Sequence, residues 1–252
     1  MYIDINNLDI EQISLDYNIS QKYIISSMCQ CKSVYCSKKS INYNKEIILE
    51  KIVKDRGIEF VIHFTRIENL KSILKNGIKS RKKLEKHKIN SIFNDEYRID
   101  GFENATCCSI CHPNYKMFYS LRQSNLEHEW AVICIKKDII WKKDCAFCIE
   151  NAASSNVTSI PIEQRKGKKA FKKLFAELTT SPTRKELNIP DSCPTNPQAE
   201  ILVFEDIKPE DIIGVAFNSS TRAEEYKKLY KNFQFIYHRA FFGPRLDYEF
   251  WR

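Results

Sequence analysis

Ile58-Glu59-Phe60-Val61-Ile62-His63-Phe64-Thr65-Arg66-Ile67-Glu68-Asn69-Leu70-Lys71-Ser72-Ile73-Leu74-Lys75-Asn76-Gly77 is the best-defined unit of the chain. Its first seven residues are mostly β-branched or aromatic and read as a short strand. Thr65-x-x-Glu68 then reads as a capping box, in which a hydroxyl and a carboxylate satisfy free backbone donors at a helix start. Ile67, Leu70, Ile73 and Leu74 share one face of the helix that follows, and Asn76-Gly77 stops it. Just upstream, Ile47, Ile48, Ile52 and Val53 share a helical face that ends at Gly57.

Working outward, residues 79–104 are basic and then mixed polar, without a period. Such a length of irregular chain points to a site rather than a mere connection. Trp130 to Ile135 is a continuous apolar run, the mark of a buried strand. Glu200 to Phe204 is another, Pro209-Glu210-Asp211 opens a turn, and Ile212 to Phe217 follows. Thr221 to Tyr230 reads as a helix, and Phe233 to Tyr237 alternates as a strand. Residues 151–198 are rich in Ser, Thr, Asn and Pro around a basic amphipathic helix from Lys168 to Leu178. Strands and helices mix without regular βαβ alternation, so the expected class is α+β. Residues 1–43 are polar and weakly periodic and read as an N-terminal appendage, with one domain over 44–252.

The chain has 252 residues, of which 43% are hydrophobic and 29% charged, an ordinary globular balance. That length buries a core without help from disulfides or metals. Lys and Arg total 40 against 32 Asp and Glu, leaving a charge of +8 that favours a polyanionic partner. The N-terminus carries acids rather than a basic, apolar leader, and no stretch approaches the ~18 apolar residues of a membrane span. The expected location is the cytoplasm, with the 10 cysteines reduced. Cysteines also cluster as Cys107-Cys108-x2-Cys111, but only Cys145-x2-Cys148 has clean zinc-like spacing, and it lacks an obvious second pair at a matching interval. No metal is expected, although Cys29-x-Cys31-x4-Cys36 stays open as a zinc knuckle.

Several residue types stand where chemistry is done. His63 ends the first strand, facing either a ligand in a cleft or a carbonyl in the core. Glu200 opens an apolar strand and is either a cleft carboxylate or a solvated charge. Asn114 to Arg122 interleaves aromatic and basic residues, as in a base-stacking surface or an amphipathic core helix. Arg98, in the irregular segment, suits a diphosphate clamp or a surface ion pair. Arg165-Lys166-Gly167-Lys168-Lys169 with Lys172-Lys173 suits phosphate contacts or a solvated helix face. A Gly-rich phosphate loop, a GxSxG elbow and an HExxH motif are all absent from the sequence.

Six pieces, in order, resemble the DarT family of nucleic-acid ADP-ribosyltransferases. They are Ile62-His63-Phe64-Thr65-Arg66-Ile67-Glu68-Asn69-Leu70 through Gly77, Arg98-Ile99-Asp100-Gly101, and Pro113-Asn114-Tyr115-Lys116-Met117-Phe118-Tyr119. Cys145-Ala146-Phe147-Cys148-x2-Asn151-Ala152-Ala153-Ser154, Gln198-Ala199-Glu200-Ile201-Leu202-Val203-Phe204 and Pro244-Arg245-x-Asp247-Tyr248-x2-Trp251 complete the set. They span about residues 45–252.

The resemblance implies an ADP-ribosyltransferase fold, a split and mostly antiparallel sheet with flanking helices and NAD in the central cleft. It implies Glu200 and Arg98 as catalytic residues. His63, Thr65, Asn69, Tyr115, Phe118 and Tyr119 would hold NAD, and a loop between Asn151 and Gln198 would read the target. Arg122, Asn151, Ser154, Thr158, Arg165, Lys168 and Lys169 would meet the nucleic acid. The implied partners are single-stranded DNA, modified on thymine or guanine, and a cognate antitoxin that removes the mark or binds the enzyme. RNA as acceptor and a non-catalytic single-strand-binding module are the alternatives.

Overall fold

The computed structural model describes residues 46–93, 98–124, 126–179 and 182–251. The chain divides into two units, Met1–Ile47 and Ile48–Arg252. The proposed appendage and the Cys29, Cys31 and Cys36 group lie outside the described residues.

The described chain is α+β, with one seven-stranded sheet at its centre. After a helix over 46–55 (α1), the strands are β1 Phe60–Arg66, β2 Thr106–Ile110, β3 Trp130–Lys136, β4 Cys145–Cys148, β5 Glu200–Val203, β6 Ile212–Phe217 and β7 Gln234–Tyr237. Between them come the helices α2 Leu70–Asn76, α3 Arg81–Lys86, α4 Tyr115–Gln123, α5 Ile139–Lys142, α6 Ser155–Thr158, α7 Gly167–Lys173 and α8 Ser220–Leu229. The order across the sheet is β4-β5-β2-β1-β3-β6-β7, antiparallel at every pairing except β6 with β7. That parallel pair follows from its connection, since α8 carries the chain back between two neighbouring strands.

β1 pairs with β3 along its whole length, from Phe60 opposite Lys136 to Arg66 opposite Trp130. With β2 it pairs only at Val61 opposite Ile110 and Ile62 opposite Ser109. β2 then turns away to pair its residues 106–108 with β5. The sheet therefore splits after Ile62, and the split opens beside His63 and Cys107.

Strand alternation sorts side chains onto the two faces. Val61, Ile133, Ile135, Ile201, Val203 and Val215 join one buried cluster with Leu70, Leu74 and Phe171. Ile62, Val132, Cys134 and Ala216 join a second with Phe118, Phe241 and Phe242. Both faces of β3 are covered, and so its sequence is apolar without alternation.

Four sequence expectations are corrected. Thr65 is no helix cap: it belongs to β1, and its hydroxyl accepts from Asn69 Nδ2 at 3.0 Å. A 3-10 turn over Ile67–Asn69 separates the strand from α2, with Arg66 as N-cap residue and no side-chain cap. The segment 79–104 is not wholly irregular, because α3 lies in it. The basic helix is shorter than expected, ending at Lys173. Finally, Thr106–Ile110 and Cys145–Cys148 are strands. Cysteine there acts as a small buried apolar residue, with Cys108, Cys145 and Cys148 each nearly inaccessible. Cys145 and Cys148 pack in different clusters. Among the described residues, no group of His, Cys, Asp or Glu is placed to hold a metal.

Gly77 is required where it stands. Its φ is +76°, and a Cβ there would fall 2.2 Å from the Ile207 carbonyl oxygen. The close approach lets Ile78 N donate to Ile207 O at 2.7 Å, which ties the α2–α3 connection to the chain after β5. Among the described residues, no helix is long and apolar enough to cross a membrane.

Candidate active site

A cleft of about 1230 Å³, open to solvent, occupies the split in the sheet. Its floor comes from β1 (His63, Thr65), β2 (Thr106, Cys107) and the first residue of β5, Glu200. Asn151–Ala153 after β4 and Met117 from α4 form one rim. Ser80, Arg81 and Leu84 of the α3 region, with Ser91–Phe93, form the far end.

Glu200 is 7% exposed. Both of its oxygens are held: Oε2 accepts from Ala152 N at 2.8 Å and Oε1 from Asn114 Nδ2 at 3.4 Å. Burial disfavours the charged form and lifts its pKa to about 7, against the two hydrogen bonds that favour the carboxylate. The Asp100 charge adds to the rise and that of Arg98 opposes it. A buried, oriented carboxyl that titrates near neutrality is suited to proton transfer and to stabilising an adjacent cation.

Arg98 sits beside it with a left-handed φ of 41°. Its guanidinium forks onto Asp100, Nε to Oδ1 at 3.0 Å and Nη2 to Oδ2 at 2.8 Å, while Nη1 reaches Cys107 Sγ at 3.4 Å. Nη2 also donates to Phe102 O at 2.5 Å. The fork that would clamp a diphosphate is thus engaged by a carboxylate, and this ion pair shapes the field around Glu200.

His63 Nδ1 lies 2.9 Å from Cys107 O across the split. A carbonyl only accepts, so Nδ1 carries the proton. Burial lowers the imidazole pKa, the bond to Cys107 raises it, and the Arg98 charge lowers it further, for a net fall. The ring is neutral at pH 7, and Nε2 is left as an acceptor at the cleft wall.

Thr65 and Asn69 also line the cleft, but as its frame. Asn69 Nδ2 donates to Thr65 Oγ1 at 3.0 Å and to Ile92 O at 2.8 Å. Its Oδ1 accepts from Ile92 N at 2.8 Å and from Ser91 Oγ at 3.3 Å. The amide is saturated, and it fixes the Ser91–Phe93 strap that roofs the far end. There, the Arg81 guanidinium lies 4.3 Å from the Phe93 ring centre, and Phe93 is 39% exposed.

The expected aromatic lining is not formed by Tyr115, Phe118 and Tyr119. Phe118 is core, stacked on Phe64 at 4.5 Å, and Tyr119 is 58% exposed. Tyr115 lies outside the lining, and Met117 of the same helix faces the cleft instead. Arg122 is on another face, donating to Phe242 O at 2.6 Å over the Phe118 ring.

Of the residues expected to meet nucleic acid, Asn151 lines the cleft, where its Oδ1 accepts from Ala153 N at 2.9 Å. Ser154 caps α6, and Thr158 closes that short helix by donating to Ser154 O. Lys168 and Lys169 are exposed on α7. Arg165 is not a surface cation: it is buried, 5.1 Å over the Phe102 ring, with Nη1 toward Cys148 Sγ. It ends a 3-10 turn that packs on β4, and that packing turns it inward.

Sequence reading missed Asp100, Asn114 and the Ala152 amide. Asn114 carried one usable signal, a capping residue in front of a helix, and its Oδ1 does accept from Met117 N at 3.2 Å. Asp100 pairs with Arg98 only two residues away, a local pairing that went unread, whereas the Ala152 amide depends on which loops the sheet brings together.

The chain matches the family model described as "ssDNA thymidine ADP-ribosyltransferase, DarT" over residues 62–240, well over half its length. Among solved structures it is similar to Thermosipho africanus DarTG in complex with ADP-ribose, with a TM-score of 0.52 and 20% identity, covering 73% of this chain and 51% of that one. It thus spans about half the length of that protein, and the likeness is one of fold. Thermus sp. 2.9 DarT in complex with NAD+ is similar at a TM-score of 0.46 and 16% identity, covering 73% of this chain and 98% of that one. The same protein in complex with ADP-ribosylated ssDNA gives a TM-score of 0.48 and 15% identity, covering 75% and 97%. No curated protein sequence matches the chain significantly.

Proposed function

The chain belongs to the DarT family of ssDNA thymidine ADP-ribosyltransferases, and on that premise we propose that it transfers ADP-ribose from NAD to thymine in single-stranded DNA. The observation that carries this reading is the buried carboxyl of Glu200, held by Asn114 and Ala152 in the split of the sheet and titrating near pH 7.

NAD is the substrate, lying along the cleft. Its nicotinamide ribose sits at the Glu200 end, and its adenine stands against Phe93 and Arg81, where apolar walls and a stacking surface meet Ser80 and Ser91. The bond from ribose C1′ to the nicotinamide nitrogen breaks, and its electron pair leaves with neutral nicotinamide. C1′ gains oxocarbenium character, which the Glu200 carboxylate stabilises. A thymine ring nitrogen attacks C1′ and gives up its proton, for which Glu200 is the acceptor. His63 Nε2 accepts from a ribose hydroxyl, and the Arg98–Asp100 pair orients charge around the carboxylate. The attacking nitrogen is hidden in a paired base, so an unpaired strand avoids an unstacking cost of a few kcal/mol. Exposed Lys168 and Lys169 track its phosphates.

The role is that of a toxin countered by a cognate antitoxin that removes the mark or binds the enzyme, in line with the Thermosipho relative's designation DarTG. The seven described cysteines are free thiols, which supports a reducing cytoplasm. No metal is needed for the step.

The test is incubation with labelled NAD and matched DNA and RNA oligonucleotides, read by mass spectrometry. Transfer to thymine-containing DNA that disappears in Glu200→Gln supports the reading. Transfer to guanine alone or to RNA alone would replace the acceptor. Salt-sensitive DNA binding without NAD turnover would make the chain a binding module instead.

A further inference from the structure

Four hydrogen bonds converge on Thr195, in the turn that leads into Glu200. Its N–H donates to Leu174 O at 2.8 Å and its hydroxyl to Ala176 O at 2.6 Å. Arg184 Nη1 donates to the same hydroxyl at 2.6 Å, and Arg245 Nη2 donates to Thr195 O at 2.9 Å. Arg245 also donates from Nη1 to Pro194 O at 2.7 Å. Past Thr195 the turn is tight: Asn196 Oδ1 accepts from Gln198 N and Asn196 O from Ala199 N, and Ala199 is 4% exposed. Glu200 pairs with Cys148 at the start of β5, and on its N-terminal side the chain that enters the strand is tethered through Pro194 and Thr195.

Arg245 is far along the sequence and outside the cleft lining, yet it is only 8% exposed. A guanidinium in that setting is costly unless paired. Asp247 pairs it, accepting from Nε at 2.9 Å and from Nη2, and Trp251 Nε1 donates to Asp247 Oδ2 at 2.7 Å. Burial pushes the Asp247 carboxyl up, and its bonds to Arg245 and Trp251 outweigh that, leaving it charged below the usual carboxylate value. One planar fork thus spans a carboxylate and two successive carbonyls. A lysine ammonium has no such fork.

We propose that Arg245, held by Asp247, is a positioning residue for ADP-ribose transfer: it fixes the Pro194–Ala199 turn and so aims the Glu200 carboxylate into the cleft. The inference rests on Glu200 being the catalytic carboxylate.

The experiment uses the full chain with Arg245→Lys, Arg245→Met and Asp247→Asn, and Glu200→Gln as control. Transfer from NAD to a thymine-containing DNA oligonucleotide is followed across pH, beside thermal melting. A misplacement of about 1 Å costs about 100-fold in rate. The expected result is a kcat about 10- to 100-fold lower with KM for NAD little changed, and Arg245→Lys the mildest. The acid limb of the pH profile should also move below about 7, because a loosened Glu200 gains water. A variant that only unfolds loses activity in proportion to its unfolded fraction and keeps the limb in place. That pattern, or unchanged kcat in folded variants, overturns the proposal. If Arg245→Met does not fold, Arg245→Lys decides on the same readouts. Full activity in Glu200→Gln would bring down the reading of Glu200 and this inference with it. Loss in Glu200→Gln with wild-type kcat in every Arg245 variant would bring down only this one.

Discussion

Asn114 donates from Nδ2 to Glu200 Oε1 at 3.4 Å while its Oδ1 accepts from Met117 N at 3.2 Å, so one fully buried amide both caps α4 and holds the carboxylate. Its own N–H donates to Ser109 Oγ at 3.1 Å, on the strand that parts from β1. A helix start, an interior strand of the sheet and the candidate catalytic group are therefore locked together through one residue. This makes the ionisation of Glu200 depend on a residue with no chemistry of its own.

Asn114→Asp tests that dependence. The aspartate retains a capping oxygen for α4, but replaces a hydrogen-bond donor to Glu200 with a second carboxylate. Losing the donor and gaining a like charge both disfavour the ionised form. The acid limb of kcat/KM should rise by about one pH unit from its position near 7. A limb that stays in place, measured over pH 5 to 9, would show that Asn114 does not govern Glu200.

Glu200→Gln should stabilise the fold above neutrality. The carboxyl has a pKa of about 7 in the folded chain against an ordinary 4.5. The folded state therefore binds more protons between those values, and the wild type loses stability as pH rises through that window. Each pH unit is worth about 1.4 kcal/mol, so the full loss is about 3 kcal/mol at pH 8. Below pH 4.5 both states are protonated and the two proteins should differ little. Urea unfolding at pH 4 and pH 8 checks both halves of the argument.

Much of the sheet was legible because its strands are apolar and short. Trp130–Ile135 and Ile212–Phe217 announce themselves by composition, and both lie buried in the sheet. Thr106–Ile110 and Cys145–Cys148 hid because cysteine reads first as a ligand or a disulfide partner, and its use as a small core residue leaves no period. Glu200 could be picked out as a polar residue at a strand start, whereas His63, expected at the end of its strand, is the fourth of the seven residues of β1. Whether such a residue is held depends on Cys107, Asn114 and Ala152, which tertiary pairing brings there. Arg165 was misread for the same reason. A run of cations looks uniform in sequence, and only packing against β4 singles out the one that turns inward.

Asn69→Ala should weaken NAD binding without touching the chemistry. The amide makes two bonds to the Ile92 backbone and one to Ser91, and these keep Phe93 over the far end of the cleft. Truncation leaves that strap unpinned, and ordering it again must be taken from binding. A rise of about tenfold in KM for NAD corresponds to about 1.4 kcal/mol. The kcat at saturation should change much less, because Glu200, His63 and Arg98 make no bond to Asn69. Steady-state kinetics with varied NAD separates the two parameters. A fall in kcat at constant KM would place Asn69 with the reacting groups instead.

The basic segment should divide into one structural and two binding residues. Arg165 is 5% exposed and packs over Phe102, whereas Lys168 and Lys169 are exposed on α7. Arg165→Gln removes a buried cation–π contact with Phe102, at a cost of about 1 to 2 kcal/mol in stability. It should leave the salt dependence of DNA binding unchanged. The double change Lys168→Gln, Lys169→Gln should do the reverse. Each phosphate contact on a single strand contributes about 0.7 to the slope of log K against log salt, so the slope should fall by about 1.4 with the melting temperature nearly constant. Fluorescence anisotropy at several salt concentrations, beside melting curves, distinguishes the two. If Arg165→Gln alone flattens the slope, the side chain turns outward when DNA binds. The track would then run over the 3-10 turn at Ile162–Arg165 rather than along α7.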